Sequence, residues 1–314
     1  MKALAIDLGG THATCALVED RKILSRESIA ADRAVGLGPF LPGLANVLHR
    51  ILNQTKVSAR ECAGLALSFC GMADHAKGKI TSTNRKYDDG PSLDLQRWCR
   101  EAFGIPFQIE NDARMALLGE RYCGAAQGCD DLVMVTLGTG IGAATMIQGE
   151  LLRGKHAQAG CLGGHIPALF NGRDCTCGAV GCAEAEASTW ALPDICRSAS
   201  GFAASALSRE DSIGFEALFR LASEADAVAI AVRDRCLAVW SSMAVGLVHA
   251  YDPDLFVIGG GVMKRAEEIL PPIQAYVHRH AWTPWGKVEF RRAQLGNEAG
   301  LHGAIPLLEA SSGR

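Results

Sequence analysis

Two segments of similar design constrain the fold of this chain more than any other sequence feature. Each consists of an apolar run, a turn of glycine and threonine, and a second apolar run. The first spans residues 3–18 and the second residues 132–147. We expect each to form a β-hairpin whose turn exposes backbone N–H groups that can cradle a phosphate. Two such hairpins, about 130 residues apart, predict duplicated lobes that face each other across a cleft.

The two turns differ in detail. The first contains Gly9, Gly10 and Thr11, and the second contains Gly138, Thr139, Gly140 and Gly142. Asp7 precedes the first turn, and its carboxylate can reach a phosphate through a metal ion or a water molecule. An ordinary hairpin turn stays open as the alternative. A strand follows the second turn where a dinucleotide-binding fingerprint requires a helix, so that class of site is excluded.

A pair of polar residues stands where a strand is expected to give way to a helix. Asn111 and Asp112 lie between the strand-like residues 106–109 and a helix that begins at Ala113. An aspartate in this place lies at the mouth of an α/β cleft, the usual location of a catalytic carboxylate. On position alone, a role as the N-cap of the helix is the favoured interpretation.

One histidine and three cysteines are spaced to hold a single metal ion. They are His165, Cys175, Cys177 and Cys182. One imidazole and three thiolates match a closed, four-coordinate structural Zn²⁺ site. Residues 171–181 contain three glycines and almost no apolar residues, so this loop needs the metal to become ordered. The metal would also fix His165 and Glu184, two groups that a substrate can use. Free cysteines of a cytosolic protein are the alternative.

A third glycine cluster follows the strand-like residues 255–258. It consists of Gly259, Gly260 and Gly261, and a helix is expected from Val262 onward. Bare backbone in this position can lie against a base or a ribose. Close packing of the helix against the strand is the alternative.

Charge, hydropathy and cysteine usage exclude several classes of protein. A net charge of −3 without a basic run argues against nucleic-acid binding. No apolar run approaches about 18 residues, so no membrane span is expected. Twelve cysteines are scattered through a 314-residue chain, which favours a reducing, cytoplasmic location over a disulfide framework.

Hydrophobic spacing predicts the remaining elements. Helices are expected at residues 37–52, 93–103, 187–191, 215–223 and 227–251, with a last helix that ends near residue 309. A buried strand is expected at residues 62–69, and residues 78–91 are expected to form a polar loop. Pro193 is expected to end the helix at 187–191 or to open the next turn.

Taken in order, the motifs resemble one known family across nearly the whole chain. They are AIDLGGT, ENDA, VTLGTGIG, GGH followed by CxCGxxGCxE, VIGGGV and LGxxAGLxGA. Together they resemble the ROK family (repressors, open reading frames and kinases) of sugar kinases in the actin-like ATPase, or hexokinase, superfamily. The resemblance implies an α/β, two-lobed actin-like ATPase (ribonuclease H-like) fold with an interlobe cleft. The small lobe would comprise residues 1–112 and 301–314, and the larger lobe residues 113–300 with the zinc loop at 160–186.

The same resemblance implies which groups bind the nucleotide. Asp7 and residues 9–11 would contact the phosphates of ATP and Mg²⁺. The turn at residues 138–142 would be a second phosphate turn, and residues 259–261 would lie against the adenosine. The family also implies a homodimer and a structural Zn²⁺.

For the sugar, the resemblance implies four residues. Asp112 would be the general base that takes a proton from a sugar hydroxyl as it attacks the γ-phosphate, and Asn111 would hold a neighbouring hydroxyl. His165 would bind both zinc and the sugar, and Glu184 would bind hydroxyls near the anomeric carbon. Positioning and charge neutralisation are the main requirements of phosphoryl transfer, and this set of groups supplies both.

One motif departs from the family pattern. The family motif AGExGH has a glutamate that binds the sugar, whereas this chain reads AGCLGGH and is one residue longer. Depending on the alignment, Cys161 or Leu162 stands in place of the glutamate. The preferred sugar therefore differs from glucose or binds more weakly. Alternatively, the extra residue only reshapes the turn and another group accepts the hydrogen bond.

The leading hypothesis is an ATP-dependent kinase that acts on a hexose or hexose derivative, most simply at the 6-hydroxyl. A sugar-binding regulator of the same family would need a DNA-binding segment ahead of the first hairpin, which begins here at Ala3. A non-catalytic sugar-binding protein is a further alternative, although it has no need of a base and two phosphate turns together.

Overall fold

The chain folds into two compact units. The computed structural model of the protein describes residues 1–32, 34–83 and 85–312. Unit 1 comprises Met1–Gly128, Arg153–Ala159 and Asn297–Arg314, and unit 2 comprises Cys129–Leu152 and Gly160–Gly296. Each unit has its own hydrophobic core, with aliphatic and aromatic side chains from the sheet and from the helices that cover it.

The elements are numbered in chain order. The strands are β1 (Lys2–Leu8), β2 (His12–Glu19), β3 (Lys22–Ala30), β4 (Cys62–Phe69), β5 (Met72–Asp74), β6 (Lys79–Ser82), β7 (Phe107–Asn111), β8 (Leu132–Leu137), β9 (Ile141–Ile147), β10 (Glu150–Leu151), β11 (Leu255–Gly259) and β12 (Glu289–Arg292). The helices are α1 (Leu41–Thr55), α2 (Leu95–Phe103), α3 (Asp112–Cys123), α4 (Ala183–Ala187), α5 (Leu192–Arg197), α6 (Phe215–Ser223), α7 (Ala227–Tyr251), α8 (Ala266–His280), α9 (Ala299–His302) and α10 (Ala304–Ser312).

The sheets of the two units have the same design. In unit 1 the strand order is β3-β2-β1-β4-β7, and in unit 2 it is β10-β9-β8-β11-β12. In both, the first three strands are antiparallel neighbours and the last three are parallel. The two predicted hairpins are β1-β2 and β8-β9, so the predicted repeat of the hairpin layout is confirmed and extends to a whole five-stranded sheet.

The parallel strands of unit 1 end together at one edge of the sheet. Asp7 of β1 lies in register with Ser68 of β4, and Ser68 lies in register with Glu110 of β7. Polar side chains at the carboxyl ends of parallel strands therefore collect at this edge, which is the usual place for a site in an α/β fold.

Helix α7 forms the centre of unit 2. It begins after Asp226, whose carboxylate accepts hydrogen bonds from the N–H groups of Val228 and Ala229 at 3.1 and 2.9 Å. Trp240 is buried on this helix and donates through Nε1 to Ala187 O at 3.0 Å. This bond ties α4, which follows the predicted zinc loop, to the core of the unit.

Several sequence predictions need correction. The helix expected at residues 187–191 ends at Ala187 as α4, and Pro193 lies in the first turn of α5, where proline is well tolerated because its missing N–H has no partner there. From Gly261 to Arg265 the chain forms a 3₁₀ helix, and α8 begins only at Ala266. Strand β3 was not predicted. It lies at the edge of its sheet with alternate residues exposed, so it lacks an apolar run.

The boundary between the units falls at residues 128 and 129, whereas the sequence predicted a lobe boundary at residues 112 and 113. Helix α3 belongs to unit 1 because it packs against α9 and α10. The assignment of the units as functional lobes stays a prediction. Across the part of the chain that the structure describes, no helix has both the length and the apolar character needed to cross a bilayer.

Candidate active site

Asp7 is held at the edge of the unit 1 sheet by a neighbouring strand. Ser68 Oγ donates a hydrogen bond of 2.6 Å to Asp7 Oδ1. Burial raises the pKa of Asp7, and the bond from Ser68 opposes this rise. A Cβ atom at Gly300 of α9 would lie only 3.0 Å from Asp7 Oδ1, so a glycine is needed to leave room for the carboxylate. The sequence motif around Gly300 thus has a packing reason.

A tyrosine from the predicted polar loop holds the first turn. Within this turn, Gly9 N donates to His12 O at 3.0 Å. Tyr87 is buried and donates through its hydroxyl to Gly9 O at 2.7 Å. Its φ angle is 61°, an uncommon conformation for a residue with a side chain, and such strain is usually found where surrounding contacts hold it. The sequence analysis missed Tyr87, although a lone aromatic residue in a polar loop was a usable signal.

The structure shows which of residues 111 and 112 caps helix α3. Asn111 is the N-cap of α3, and its Oδ1 accepts hydrogen bonds from Ala113 N and Arg114 N at 3.1 and 3.3 Å. Its Nδ2 donates to Asp112 Oδ1 at 2.9 Å and to Gly71 O at 3.0 Å. The capping role belongs to Asn111, so the carboxylate of Asp112 is not needed as the cap.

Asp112 has the ionisation expected of a base that works near neutral pH. Asp112 is exposed by its accessible surface, yet desolvation by the surrounding protein atoms, followed by the negative charge of Asp7, raises the pKa of its carboxyl to about 6. Hydrogen bonds from Ala113 N and Asn111, together with the positive charge of Lys86, oppose this rise. A carboxylate with a pKa in this range is largely ionised at pH 7, yet it accepts a proton more readily than an ordinary aspartate.

The second turn is held by the carboxylate of Glu184, which lies in α4, two residues beyond the predicted metal ligand Cys182. Glu184 is only 7% exposed, and its Oε2 accepts a hydrogen bond of 2.8 Å from Ile141 N, directly after the turn. Its Oε1 accepts from Trp190 Nε1 at 3.3 Å. Each oxygen of a carboxylate has a second acceptor position, so these bonds leave room for a ligand hydroxyl. Glu184 therefore links the metal loop to the second phosphate turn, a role that the sequence did not reveal.

The three glycines after β11 have different surroundings. Gly260 has a φ angle of 92°, and a Cβ atom there would lie 2.2 Å from Leu137 O at the end of β8. Close packing, the alternative weighed from the sequence, therefore explains Gly260. A Cβ atom at Gly259 would lie 2.9 Å from Ala293 Cβ. At Gly261 a Cβ atom would meet nothing within 4 Å among the described residues, so only this glycine presents open backbone.

The four predicted metal ligands come together in unit 2. The ligand atoms of His165, Cys175, Cys177 and Cys182 all lie within 4.8 Å of one another. Cys177 Sγ lies 3.6 Å from Cys182 Sγ, and Cys175 Sγ lies 3.5 Å from His165 Nδ1. Two sulfur ligands of a tetrahedral Zn²⁺, at Zn–S bonds of about 2.3 Å, lie roughly 3.8 Å apart, so the donor set fits this ion.

The acid–base properties of the cluster also favour a cation. Burial, followed by hydrogen bonds with Cys177 and Cys175, raises the pKa of the Cys182 thiol well above its ordinary value. Three neighbouring thiolates would repel one another without a positive charge at the centre. A divalent metal ion removes this penalty because it binds the thiolate form.

A buried glutamate, paired with a partly exposed arginine, supports the loop that carries the predicted metal ligands. Glu186 is fully buried, accepts a hydrogen bond from Arg173 N of the loop, and forms an ion pair with Arg235 of α7. Gly181 has a φ angle of 72°, and a Cβ atom there would lie 1.7 Å from Leu169 O, so the loop folds tightly on itself.

The two residues that replace the family glutamate have different environments. Cys161 is 7% exposed and Leu162 is 39% exposed. A Cβ atom at Gly164, within the same motif, would lie 2.0 Å from Ile141 O, so this backbone packs directly on the second turn. A carboxylate is absent from both positions in the chain.

The predicted site residues therefore form two groups. In unit 1, Asp7, the first turn, Asn111 and Asp112 share the carboxyl edge of the sheet. In unit 2, the second turn, Glu184 and the metal cluster are neighbours, and the glycines after β11 pack beside the end of β8.

Comparison with known proteins gives matches over the whole chain. The model of the ROK family matches residues 3–311. The glucokinase of Thermotoga maritima is 30% identical over 322 residues, which cover 100% of this chain and 99% of that protein.

Solved structures match over the same extent. A ROK hexokinase from Thermus thermophilus superposes with a TM-score of 0.83 at 31% identity, covering 99% of this chain and 100% of the other. A ROK family glucokinase from Streptomyces griseus, crystallised in complex with glucose and AMPPNP, superposes with a TM-score of 0.80 at 27% identity over 99% and 100% of the two chains.

Proposed function

The chain belongs to the ROK family, and from that premise we propose that it transfers the γ-phosphate of ATP to the 6-hydroxyl of a hexose or hexose derivative. The protein is a sugar kinase with the α/β fold of the actin-like ATPases. The choice of hydroxyl, of sugar and of individual residues is the proposal. The observation on which it depends most is the carboxyl of Asp112, whose pKa is raised to about 6, beside Asp7 at the same sheet edge.

Asp112 is proposed to act as the general base. Its carboxylate takes the proton of the attacking hydroxyl, and the oxygen then bonds to the γ-phosphorus as the bond to ADP breaks. Asn111 is held by its capping bonds to α3, so its side-chain amide can orient a neighbouring hydroxyl. Orientation of this kind supplies a large part of the rate enhancement in phosphoryl transfer.

Asp7 and the first turn are proposed to bind the phosphates of ATP together with Mg²⁺. Two carboxylates with raised pKa values, one of them raised in part by the charge of the other, suit a hard divalent cation, because such a cation prefers oxygen ligands. Mg²⁺, when bound, neutralises charge on the phosphate oxygens. The second turn is proposed to contact the phosphates as well, and the open backbone at Gly261 supports a contact between residues 259–261 and the adenosine.

Ser68→Ala tests the role of Asp7. The variant removes the 2.6 Å hydrogen bond to Asp7 Oδ1 and raises the pKa of this carboxyl further, since the bond lowers it. A hydrogen bond to a charged group contributes about 1.5–3 kcal/mol, so we expect the KM for Mg-ATP to rise about tenfold at pH 7. The KM for the sugar should stay within about twofold. A rise in the sugar KM alone, measured in the same steady-state assay, would contradict this role.

We propose that His165 and Glu184 bind the sugar. With Nδ1 of His165 directed at the thiol of Cys175, its Nε2 is the ring nitrogen left for a hydroxyl. Zn²⁺ would hold the loop that positions both residues. Because Cys161 and Leu162 offer no carboxylate, we propose that the preferred sugar is not glucose itself or that glucose binds weakly.

The proposed reaction is tested by ADP release with Mg-ATP on glucose, mannose, fructose, allose, N-acetylglucosamine and N-acetylmannosamine. We expect turnover of at least one sugar, a 6-phosphate product by ³¹P NMR, and no turnover of its 6-deoxy analogue. Turnover of the 6-deoxy analogue would move the reaction to another hydroxyl. Binding of a sugar by calorimetry without any ADP release, in protein with its zinc bound, would instead favour a non-catalytic or regulatory sugar-binding protein.

Two further properties are proposed. All twelve cysteines are free thiols, most of them buried, and this supports a cytoplasmic location. Family membership supports a homodimer, which sedimentation equilibrium would test.

A further inference from the structure

A buried cluster of charged residues lies directly behind the Asn111–Asp112 junction in unit 1. Glu110 is the next-to-last residue of β7 and Arg114 lies in the first turn of α3, and both side chains are 0% exposed. Arg114 Nη1 lies 3.1 Å from Glu110 Oε1, and Arg153 Nε lies 2.7 Å from Glu110 Oε2. Neither the general base nor the nucleotide contacts require these residues.

The guanidinium group of Arg114 also binds two backbone carbonyl oxygens. Arg114 donates to Ala157 O at 3.1 Å and, through Nη2, to Ala159 O at 2.6 Å. The segment Arg153–Ala159 belongs to unit 1, although the chain before and after it belongs to unit 2. Arg114 therefore holds the segment that leads into residues 160–165, where the family motif is altered.

Glu110 also contacts the backbone of the residue that precedes Asp112. Glu110 Oε1 also accepts a hydrogen bond of 3.0 Å from Asn111 N, the residue that caps α3 and precedes Asp112. One carboxylate thus fixes the backbone of the strand-to-helix junction, and one guanidinium fixes the segment before the altered motif.

Strain in the held segment argues for positioning over simple stability. Ala157 has a φ angle of 57°, a conformation that is unfavourable for a residue with a Cβ atom, and its carbonyl is one of the two that Arg114 holds. Apolar residues of similar volume often replace a buried ion pair without loss of stability, so core filling alone does not require this arrangement.

We propose that Arg114, paired with Glu110, is a positioning residue for sugar binding that holds Ala157 and Ala159 in place and so sets the entry of the chain into residues 160–165. The inference depends on the proposed function, because it assigns these residues to a sugar site. It predicts that loss of Arg114 weakens binding of the sugar and leaves binding of Mg-ATP nearly unchanged.

The test compares Arg114→Met with wild type in the sugar panel, with Arg121→Met on the same helix as the matched control. We expect Arg114→Met to raise the KM for the best panel sugar at least tenfold and the KM for Mg-ATP less than twofold. Arg121→Met should change neither. Equal changes in both KM values, or an unchanged sugar KM, would overturn the inference.

A rescue variant separates positioning from loss of stability. Glycine adopts a φ angle near 57° at little cost, so Ala157→Gly in the Arg114→Met background should recover at least threefold in sugar KM. Arg114→Lys keeps the charge but cannot reach Glu110 and both carbonyls with one planar group, so it should resemble Arg114→Met. If Arg114→Met does not fold, Arg114→Lys takes its place in every comparison. Failure of the glycine rescue would assign Arg114 to stability only.

The test of Arg114 and the test of kinase activity have separate readouts. Turnover by the wild-type protein tests the kinase, whereas the ratio of variant to wild type tests Arg114. If the wild type shows no turnover, titration calorimetry with the same six sugars supplies the dissociation constants for the comparison, and wild-type protein that binds none of them would overturn both proposals.

Discussion

Replacing Asp112 with asparagine is expected to lower kcat by about 10²–10⁴-fold, the range that a general base contributes, and at the same time to stabilise the fold. Asparagine has nearly the same shape, and its side-chain oxygen can keep the bonds from Ala113 N and Asn111 Nδ2. It cannot accept the proton of the sugar hydroxyl. Loss of activity therefore reports the chemistry and not a damaged site.

The stability effect follows from the direction of the pKa shift. The pKa of Asp112 is raised in the folded state, from 3.8 to about 6, so between these values the folded protein binds more protons than the unfolded chain. The contribution of Asp112 to the free energy of unfolding is therefore present below pH 4 and is lost as the pH rises through 6. Above pH 6 the ionised carboxylate destabilises the fold without bound metal, by an amount that solvent screening reduces because the residue is exposed. Asp112→Asn removes this cost.

Two measurements check the prediction. Urea unfolding at pH 7.5 should show a higher free energy of unfolding for Asp112→Asn, and the difference should vanish near pH 4. The wild-type kcat should fall below pH 6 as the base becomes protonated. Asp94→Asn, at the N-cap of α2, is the matched control, since asparagine caps as well as aspartate and should change neither quantity. An Asp112→Asn variant with wild-type kcat would remove Asp112 from the role of base.

Cys182→Ser is expected to abolish zinc binding, unfold the metal loop and reduce activity at least a hundredfold. Cys182 is fully buried within the cluster, and serine is a poor ligand for Zn²⁺. Structural zinc sites in small domains contribute about 10–16 kcal/mol of apparent binding energy, so the loop has little stability without the ion. Loss of its order would release Glu184 from Ile141 N and with it the second turn.

Metal content, thermal unfolding and activity should change together in this variant. We expect about one zinc per chain in the wild type by atomic emission, none in Cys182→Ser, and a transition at lower temperature. Cys123→Ser, at the end of α3 in unit 1, is the matched control and should retain zinc and activity. Full activity in chelator-treated, zinc-free protein would show that the cluster has no structural part in the reaction.

Local patterns in the sequence located several of the central elements of the fold. Both hairpins, the buried strand β4, helices α6 and α7 and the metal ligands occur where spacing and turn residues predicted them. These features depend on neighbours a few residues apart, such as a glycine turn between two apolar runs. For the metal ligands, the close spacing of three cysteines within eight residues was a signal of the same local kind.

Prediction was weaker where two elements compete for one stretch of chain. The helix expected at residues 187–191 and the helix expected from Val262 were displaced by a few residues, because Pro193 lies in the first turn of the next helix and Gly260 makes a tight contact with Leu137 O. Strand β3 was missed because an edge strand gains its stability from hydrogen bonds to β2 and not from an apolar run of its own.

Only the tertiary structure decided the chemistry of the candidate site. The sequence placed Asn111 and Asp112 together but could not say which one caps α3, whereas the fold gives the cap to Asn111 and raises the pKa of Asp112 through desolvation and the charge of Asp7. Tyr87 and the Glu110–Arg114–Arg153 cluster meet partners that are up to about 80 residues away in the chain. Burial and long-range contact exist only once the chain has folded, so the sequence determined which groups are present and the tertiary structure determined what each can do.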